Sequence, residues 1–414
     1  DTKGPEIRTG FFAAGGKVDL KQGEDLKLTT DYSFKGDSKC IAVTYEKLPQ
    51  SVKPGSIILC ADGSLSLKVK SCGSDHVITE IMNNCSIGER KNCNLPGVKV
   101  DLPVLQEKDI KDIQEFGIPQ QLDFVAASFV QSKQDVDFIR ATLGEKGKNI
   151  KIISKIENEE GLANFDEICQ ASDGIMVARG DLGMEIPPEK VFLAQKIMIA
   201  KCNLFGKPVV TATQMLESMT KAPRPTRAEA GDVANAVLDG TDCVMLSGET
   251  AGGDFPLEAV TIMRRIVEEA EQSIDYPSLY LKTRQNTLSM QGRMSQREAM
   301  ASSAVKTSFD SDASLIVVFT ETGTSVRLVA KYQPKAPILA VCDNDATARQ
   351  LLSLRGVISA VIPFDAALDV ITTKALIHAK SAGVTQSGDL AVVVREQRGK
   401  AKPSSKLTSL ISVP

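Results

Sequence analysis

Between residues 121 and 275 short apolar runs alternate with amphipathic stretches of one to two dozen residues, and this pattern narrows the possible folds more than any other. The apolar runs fall at 124–128, 150–156, 174–178, 208–212 and 243–246. Each is followed by a polar loop and then a helical pattern. Alternating β and α units imply a parallel sheet, either open or closed into a barrel. One helix start is well marked: Thr226-x-x-Glu229, preceded by Pro225, reads as a capping box.

The flanking regions have a different texture. Residues 10–92 read as β-rich. Ser64-Leu65-Ser66-Leu67-Lys68-Val69-Lys70 alternates with period two, so one face is buried and the other wet. Asp62-Gly63 is a hairpin turn signal just before it. A polar stretch at 277–298 separates the central region from a third part. There, apolar runs at 314–319, 336–341, 360–363 and 390–394 alternate with helices again, as in a smaller doubly wound α/β domain.

Composition limits the function classes. A chain of 414 residues, 42% of them hydrophobic, exceeds one compact core, so two or three domains are expected. The net charge of −3 and the lack of a long basic run give nucleic-acid or membrane-surface binding no electrostatic support. No apolar run reaches the roughly 20 residues that cross a bilayer. Nine scattered cysteines without a Cys-x-x-Cys pair suit a reducing compartment, and the expected location is cytoplasmic. The Walker phosphate loop is absent, which excludes a P-loop kinase.

In a parallel β/α barrel the functional side chains sit where strands end and loops begin. One strand ends in Ser154-Lys155-Ile156-Glu157, and residues two apart share a face, so Lys155 and Glu157 point into one site. A surface ion pair is disfavoured by the buried-strand residues Ile152 and Ile153 before them. The next strand ends in Ala178-Arg179-Gly180-Asp181-Leu182-Gly183, which sets Asp181 one strand over from Glu157. Two carboxylates without histidine or cysteine favour a hard cation such as Mg²⁺ or Mn²⁺. Gly180 lets backbone N–H groups approach an anion, although alone the Gly-Asp pair reads first as a plain turn. Further strand ends carry Thr211, Thr213 and Gln214, then Ser247, Gly248, Glu249 and Thr250. A cation and a lysine facing one anionic substrate can stabilise a phosphoryl group and an enolate together.

These runs resemble the pyruvate kinase family. The resemblance rests on Ile153-Ser154-Lys155-Ile156-Glu157-Asn158, on Met176 to Gly183, on Ala212-Thr213-Gln214-Met215-Leu216-Glu217-Ser218-Met219, and on Met245-Leu246-Ser247-Gly248-Glu249-Thr250-Ala251. The opening Asp1-Thr2-Lys3-Gly4-Pro5-Glu6-Ile7-Arg8-Thr9-Gly10 fits it too, and cytosolic plant-type or general eukaryotic members are the nearest in character. The resemblance implies a parallel TIM-type β/α barrel over 1–4 and 100–276, incomplete at its N-terminus. It also implies an inserted β-barrel lid over 5–99 and a C-terminal doubly wound α/β domain over 277–414. The implied reaction is phosphoryl transfer from phosphoenolpyruvate to ADP, with Mg²⁺ or Mn²⁺ and K⁺ as cofactors and a homotetramer as assembly.

Residue by residue, the resemblance gives Lys155, Thr213, Arg8 and Ser247 catalytic roles. Lys155, Gly180, Asp181 and Thr213 bind the substrate, and Arg8, Lys91 and Asp62 meet the nucleotide phosphates or their metal. Glu157 and Asp181 hold the divalent metal, while Asp1 and Thr2 match part of the K⁺ site. Glu6 is the residue type of K⁺-dependent members.

The chain also departs from the family pattern. The family's first two barrel strands, and all but the end of the third, would precede Asp1, together with an arginine, an asparagine and a serine of the site. A fragment of a longer product, a truncated gene model and a shortened variant are all consistent with this, and the expectation is weak or no activity for residues 1–414 alone. Thr320-Glu321-Thr322-Gly323-Thr324-Ser325 falls where family members regulated by sugar bisphosphate bind a phosphate. Glu321 would repel such an anion, so a helix cap built of hydroxyls is expected instead. The family's tryptophan-containing effector loop has no counterpart, and Arg395-Glu396-Gln397-Arg398-Gly399-Lys400 stands in that region. Two other readings remain open at this level: a different Mg²⁺-and-enolate barrel enzyme, and a catalytically silent paralogue acting through subunit contacts.

Overall fold

The computed structural model describes residues 1–399 and 402–414, and the side chains of 1–395 and 408–414. It divides into two compact units, residues 1–198 with 212–214, and residues 199–211 with 215–414.

In the first unit nine strands form the β-rich part: β1 (Ile7–Arg8), β2 (Lys17–Leu20), β3 (Asp25–Thr29), β4 (Cys40–Ala42), β5 (Ile57–Cys60), β6 (Leu65–Cys72), β7 (His76–Ile81), β8 (Cys85–Gly88) and β9 (Asn92–Asn94). Seven pair in the order β1-β9-β5-β6-β7-β3-β4, and β2 pairs with β8. The alternation in β6 does what period two dictates: Leu65, Leu67 and Val69 are buried, while Lys68 and Lys70 are exposed. The Asp62-Gly63 signal makes the β5–β6 hairpin. Ala61, Asp62 and Gly63 all have positive φ, at 54°, 55° and 80°, and Ser64 N–H closes onto the Ala61 carbonyl at 3.1 Å.

The same unit holds β10 (Phe124–Ala127), β11 (Lys151–Ile156) and β12 (Gly174–Ala178), paired in parallel as β10-β11-β12. Along β11, Ile152, Ser154 and Ile156 are buried on one face, and Lys151, Ile153 and Lys155 take the other. β12 is buried throughout, as a strand covered on both faces requires.

The chain passes through β13 (Val209–Ala212) to β14 (Cys243–Met245). Between them runs the helix Arg227–Asp239, whose capping box is formed as expected: Thr226 Oγ1 accepts from Glu229 N–H at 3.2 Å, and Glu229 Oε2 accepts from Thr226 N–H at 2.7 Å. In the second unit Val233 and Ala236 of this helix pack on Ala259 and Met263 of the helix Pro256–Gln272.

The polar stretch expected to be a separator is instead largely a helix, Tyr276–Gln291. Asp275 caps it by accepting from Ser278 N–H at 3.1 Å. It is anchored by a narrow stripe, chiefly Tyr280 against Phe309 and Tyr332 with ring centroids 5.9 and 5.8 Å apart. Beyond it β15 (Leu315–Phe319), β16 (Ile338–Cys342), β17 (Val357–Val361), β18 (Leu390–Gly399) and β19 (Lys402–Ser412) form a sheet ordered β17-β16-β15-β18-β19. All but β19 are parallel, with helices between them, which is the doubly wound arrangement. β17 begins three residues before the expected position because Val357 to Ser359 pair with Ile338 to Ala340. β18 outruns its apolar stretch because antiparallel pairing with β19 supplies its hydrogen bonds. Of the run beginning at Arg395, Lys400 lies outside the described residues.

Candidate active site

The pairing of β10 with β11 sets Ala127 opposite Ser154, so the next residues, Ser128 just past β10 and Lys155 within β11, stand side by side. Lys155 Nζ donates to Ser128 Oγ at 3.1 Å and lies 3.1 Å from Glu157 Oε1. Ser128 is fixed in turn by Thr2: its N–H donates to Thr2 Oγ1 at 3.0 Å and its hydroxyl to the Thr2 carbonyl at 2.8 Å. Glu157 is only 2% exposed, and its Oε2 accepts from Phe129 N–H at 2.6 Å.

β12 delivers its chain into the helix Arg179–Glu185, whose first turn carries Asp181. Gly180 precedes it for a steric reason: a Cβ there would stand 2.8 Å from Thr213 Cγ2. Thr213 itself sits at φ 74° and Gln214 at φ 55°, left-handed conformations that cost a β-branched residue most. Arg179 holds that turn in place. Its Nε and Nη2 donate to the Thr213 carbonyl at 3.2 and 2.8 Å, and further bonds reach the carbonyls of Ala212 and Gln214 at 3.3 Å.

The local charge is unbalanced. Burial pushes the Glu157 carboxyl up to about 7; Lys155 opposes this and Asp181 adds to it. Asp181 is raised by burial and by Glu6 and Asp62, against the pull of Lys155 and a hydrogen bond from Asn94. Carboxylates in excess at one buried place fit a bound cation. Among the described residues no three His, Cys, Asp or Glu side chains gather into a complete cage. A Mg²⁺-type ion accepts that situation, because it keeps waters and substrate oxygens among its ligands.

From the lid, Glu6, Arg8, Asp62, Lys91 and Asn94 line a cavity of about 300 Å³ that also reaches Asp181. Arg8 is held by Glu6, with Nε and Nη2 each 2.8 Å from Oε2, and by the Arg90 carbonyl at 2.9 Å. Asp62 and Asn92 exchange two bonds: Asp62 N–H donates to Asn92 Oδ1 at 3.1 Å, and Asn92 Nδ2 to Asp62 Oδ1 at 3.0 Å. Asn94 Nδ2 donates to Glu185 Oε1 at 3.1 Å, which ties β9 to the far end of the Asp181 helix. Burial pushes the Glu185 carboxyl up to about 7, against hydrogen bonds from Asn94 and from Leu95 N–H.

The first unit therefore brings together Lys155, Glu157, Gly180, Asp181, Thr213, Arg8, Asp62 and Lys91. Thr2 joins them through Ser128, whereas Asp1 is exposed. Ser247 belongs to the second unit, where its N–H donates to Glu249 Oε2 at 2.7 Å. Two expected strand-end residues turn away from any open site. Glu249 is fully buried and bonds Leu216 N–H at 3.0 Å, and Thr211 is buried against Thr241 with Oγ1 atoms 3.0 Å apart. Sequence reasoning overlooked Ser128, Asn94, Glu185 and the structural part of Arg179. Ser128 was within reach, because it ends a strand at the same level as Lys155.

A lysine against paired carboxylates at the ends of parallel strands, under a β lid bearing basic side chains, marks a β/α-barrel enzyme for anionic substrates. The comparisons carry this to a family. The model of the pyruvate kinase barrel domain matches residues 1–260, and that of the pyruvate kinase alpha/beta domain matches residues 298–409. A pyruvate kinase of Eimeria tenella is 58% identical over 413 residues, covering 100% of this chain and 77% of that protein. The probable cytosolic isozyme of Arabidopsis thaliana is 55% identical over 373 residues, 86% of this chain and 74% of that protein. A Cryptosporidium parvum pyruvate kinase structure superposes with a TM-score of 0.92 at 50% identity, covering 100% of this chain and 83% of that one. The same organism's enzyme in complex with ADP gives 0.91 at 51% identity, over 100% and 83%.

The chain belongs to the pyruvate kinase family. It is a phosphotransferase that moves a phosphoryl group from phosphoenolpyruvate to ADP, giving pyruvate and ATP in the last step of glycolysis. Nothing in the comparisons favours a silent paralogue. Among the described residues no helix is long and apolar enough to cross a membrane.

Proposed function

We propose that the reaction runs at the Lys155 cluster, with phosphoenolpyruvate between Lys155 and the Gly180–Thr213 turn and ADP in the lid cavity. The observation that carries this assignment is the position of Lys155 Nζ, 3.1 Å from both Glu157 Oε1 and Ser128 Oγ, beside carboxylates that burial makes costly to charge. Glu157 and Asp181 are the residues to hold Mg²⁺ or Mn²⁺. When bound, that ion supplies positive charge to the phosphoryl and enolate oxygens. Lys155 stabilises the charge that grows on the bridging oxygen as its bond to phosphorus breaks and the bond from phosphorus to the ADP oxygen forms. The backbone at Gly180 and Asp181 and the Thr213 hydroxyl orient the substrate carboxylate, and Thr213 is placed to pass a proton, through water, toward the enolate carbon. Arg8, Lys91 and Asp62 position the nucleotide phosphates and their metal from the lid.

Thr2, with Asp1, is assigned to K⁺; its hydroxyl and carbonyl already orient Ser128, so a cation there would also act on Lys155. The domains are proposed as barrel at 1–4 and 100–276, lid at 5–99 and α/β domain at 277–414. Cytoplasmic location is supported by the cytosolic relatives, and a homotetramer by the family resemblance. The test is a metal titration. Glu157→Gln and Asp181→Asn each remove a hard anionic ligand, so half-maximal activity should move to about tenfold or more higher Mg²⁺ or Mn²⁺. An unchanged titration would put the metal elsewhere.

A further inference from the structure

Two thiols face each other beneath the lid cavity. Cys60 ends β5 and Cys93 is the middle residue of β9, and the antiparallel register sets them directly opposite. Their Sγ atoms are 3.4 Å apart. The neighbouring pair carries the ladder bond, Ala61 N–H to the Asn92 carbonyl at 3.1 Å, so the cysteines occupy a non-hydrogen-bonded position. At such positions opposing Cα atoms stand roughly 4.5 Å apart, inside the range a disulfide spans. The two sulfurs differ in access. Cys60 is 1% exposed within the lid core, whereas Cys93 is 6% exposed and forms part of the cavity wall beside Asp62 and Lys91.

We infer that Cys60 and Cys93 are an oxidation site, closed to a disulfide by a small peroxide entering through the lid cavity, and that closure weakens nucleotide binding. The chemistry balances with hydrogen peroxide as the oxidant. The Cys93 thiolate attacks one peroxide oxygen; the O–O bond breaks, and hydroxide leaves to become water with the thiol's proton. The Cys60 sulfur then attacks Cys93 Sγ, displaces the sulfenic hydroxyl, and its own proton converts that group to a second water. Two thiols and one peroxide give one disulfide and two waters.

Closure has consequences for the cavity. The S–S bond of about 2.05 Å is shorter than the present contact, so the two side chains must turn toward each other, and the bond then locks the end of β5 to the middle of β9. The strand end after Cys60 leads to Asp62, and Asn92, next to Cys93, holds Asp62 by two hydrogen bonds. Lys91 immediately precedes β9. The effect on ADP rests on the assignment of this cavity to the nucleotide; disulfide formation does not.

The test uses the whole chain, reduced and then treated with hydrogen peroxide. Digestion without reductant should yield a linked peptide joining Cys60 to Cys93, and the KM for ADP should rise severalfold and return on adding dithiothreitol. Cys60→Ala and Cys60→Ser, which differ in the volume and polarity left behind, should both keep normal turnover and an ADP KM that peroxide does not move. Absence of the linked peptide overturns the oxidation site itself. A linked peptide with unchanged ADP KM overturns the coupling to the nucleotide, and so does an equal loss in wild type and both variants.

Discussion

In the proposed role Lys155 places a cation where charge develops, and it sits on a strand end with two partners at bonding distance. Lys155→Met keeps the length and most of the apolar stem but removes that charge. The expected result is a loss of about 10²–10³ or more in kcat, the scale of about 3–4 kcal/mol for one pre-aimed electrostatic contact. Circular dichroism and the melting curve should stay those of a folded protein; near-normal turnover in a folded variant would refute the role. Glu185 offers a second test at this scale. Its carboxyl moves from an ordinary 4.5 up to about 7 through burial. A raised carboxyl binds a proton more tightly in the folded state, so stability is highest below the unfolded value and falls as pH climbs from about 4.5 to 7. The upper limit of that loss is ~3 kcal/mol, because every tenfold gain in proton affinity corresponds to about 1.4 kcal/mol. Glu185→Gln removes the titration. In calorimetry with chelator present, the wild type should lose several degrees of Tm relative to the variant between pH 5 and pH 7, with no further divergence above. Parallel curves would mean Glu185 is not strained by burial. Lys155 and Glu157 were legible because period two along a strand dictates their shared face. Asn94 and Glu185 were not, because an asparagine in a β-rich lid and a glutamate near a helix end have no spacing that announces their meeting across 91 positions.

The element that most depends on tertiary context is the turn after β13. Thr213 and Gln214 both adopt left-handed φ, and a β-branched residue there costs on the order of 1–3 kcal/mol. Four hydrogen bonds from Arg179 to the carbonyls of Ala212, Thr213 and Gln214 keep the turn in that shape. Gly180 permits it, since any Cβ would strike the Thr213 methyl at 2.8 Å. Thr213→Gly should relieve the strain while keeping every carbonyl that Arg179 grips. Its melting temperature should hold or rise while kcat drops by about 10²-fold from loss of the positioned hydroxyl. A fall in both would show the threonine side chain to be structural. Elements with a local cause were readable: the β6 alternation, the Asp62-Gly63 hairpin and the Thr226–Glu229 capping box. The helix Tyr276–Gln291 escaped because its buried face is little more than Tyr280 and Thr287, too narrow a stripe for a periodicity argument. The length of β18 escaped for the opposite reason: its outer half is held by a partner strand and not by its own apolar pattern.

At the scale of the whole molecule, the order of strands and helices was written in the sequence, since alternating units leave few topologies, and the family motifs fixed which one. The response to a sugar bisphosphate is a question for this scale, and it is asked of the α/β domain. There the loop from β15 to the helix Thr324–Ala330 borders a cavity of about 700 Å³, which Arg297, Glu321, Asp369 and Arg395 also line. The loop's hydroxyls are largely engaged with one another and with its backbone. Thr320 Oγ1 accepts from Gly323 N–H at 2.9 Å, the Thr322 and Thr324 hydroxyls lie 3.1 Å apart, and Thr324 accepts from Arg327 at 3.2 Å. The helix cap itself is Gly323 at φ 80°, with no side-chain bond, so the expected hydroxyl cap is replaced by a hydroxyl-braced turn. Among the described residues the charges cancel: two arginines face two carboxylates, and Arg395 is already paired to Asp369 at 2.8 Å. A sugar bisphosphate brings ~3–4 negative charges, about 1.5 to 2 for each phosphate at neutral pH. It would have to break that ion pair and approach Glu321, with no surplus of cations among the described residues to receive it. Fructose 1,6-bisphosphate is therefore expected to change the phosphoenolpyruvate half-saturation by less than about twofold, a difference below ~0.4 kcal/mol. Calorimetry should find no saturable binding at millimolar bisphosphate. Glu321→Lys reverses one of the two opposing charges and is expected to create measurable binding at the same place. Strong activation of the wild type, by contrast, would mean that Arg297 and Arg395 reorganise enough to outweigh both carboxylates.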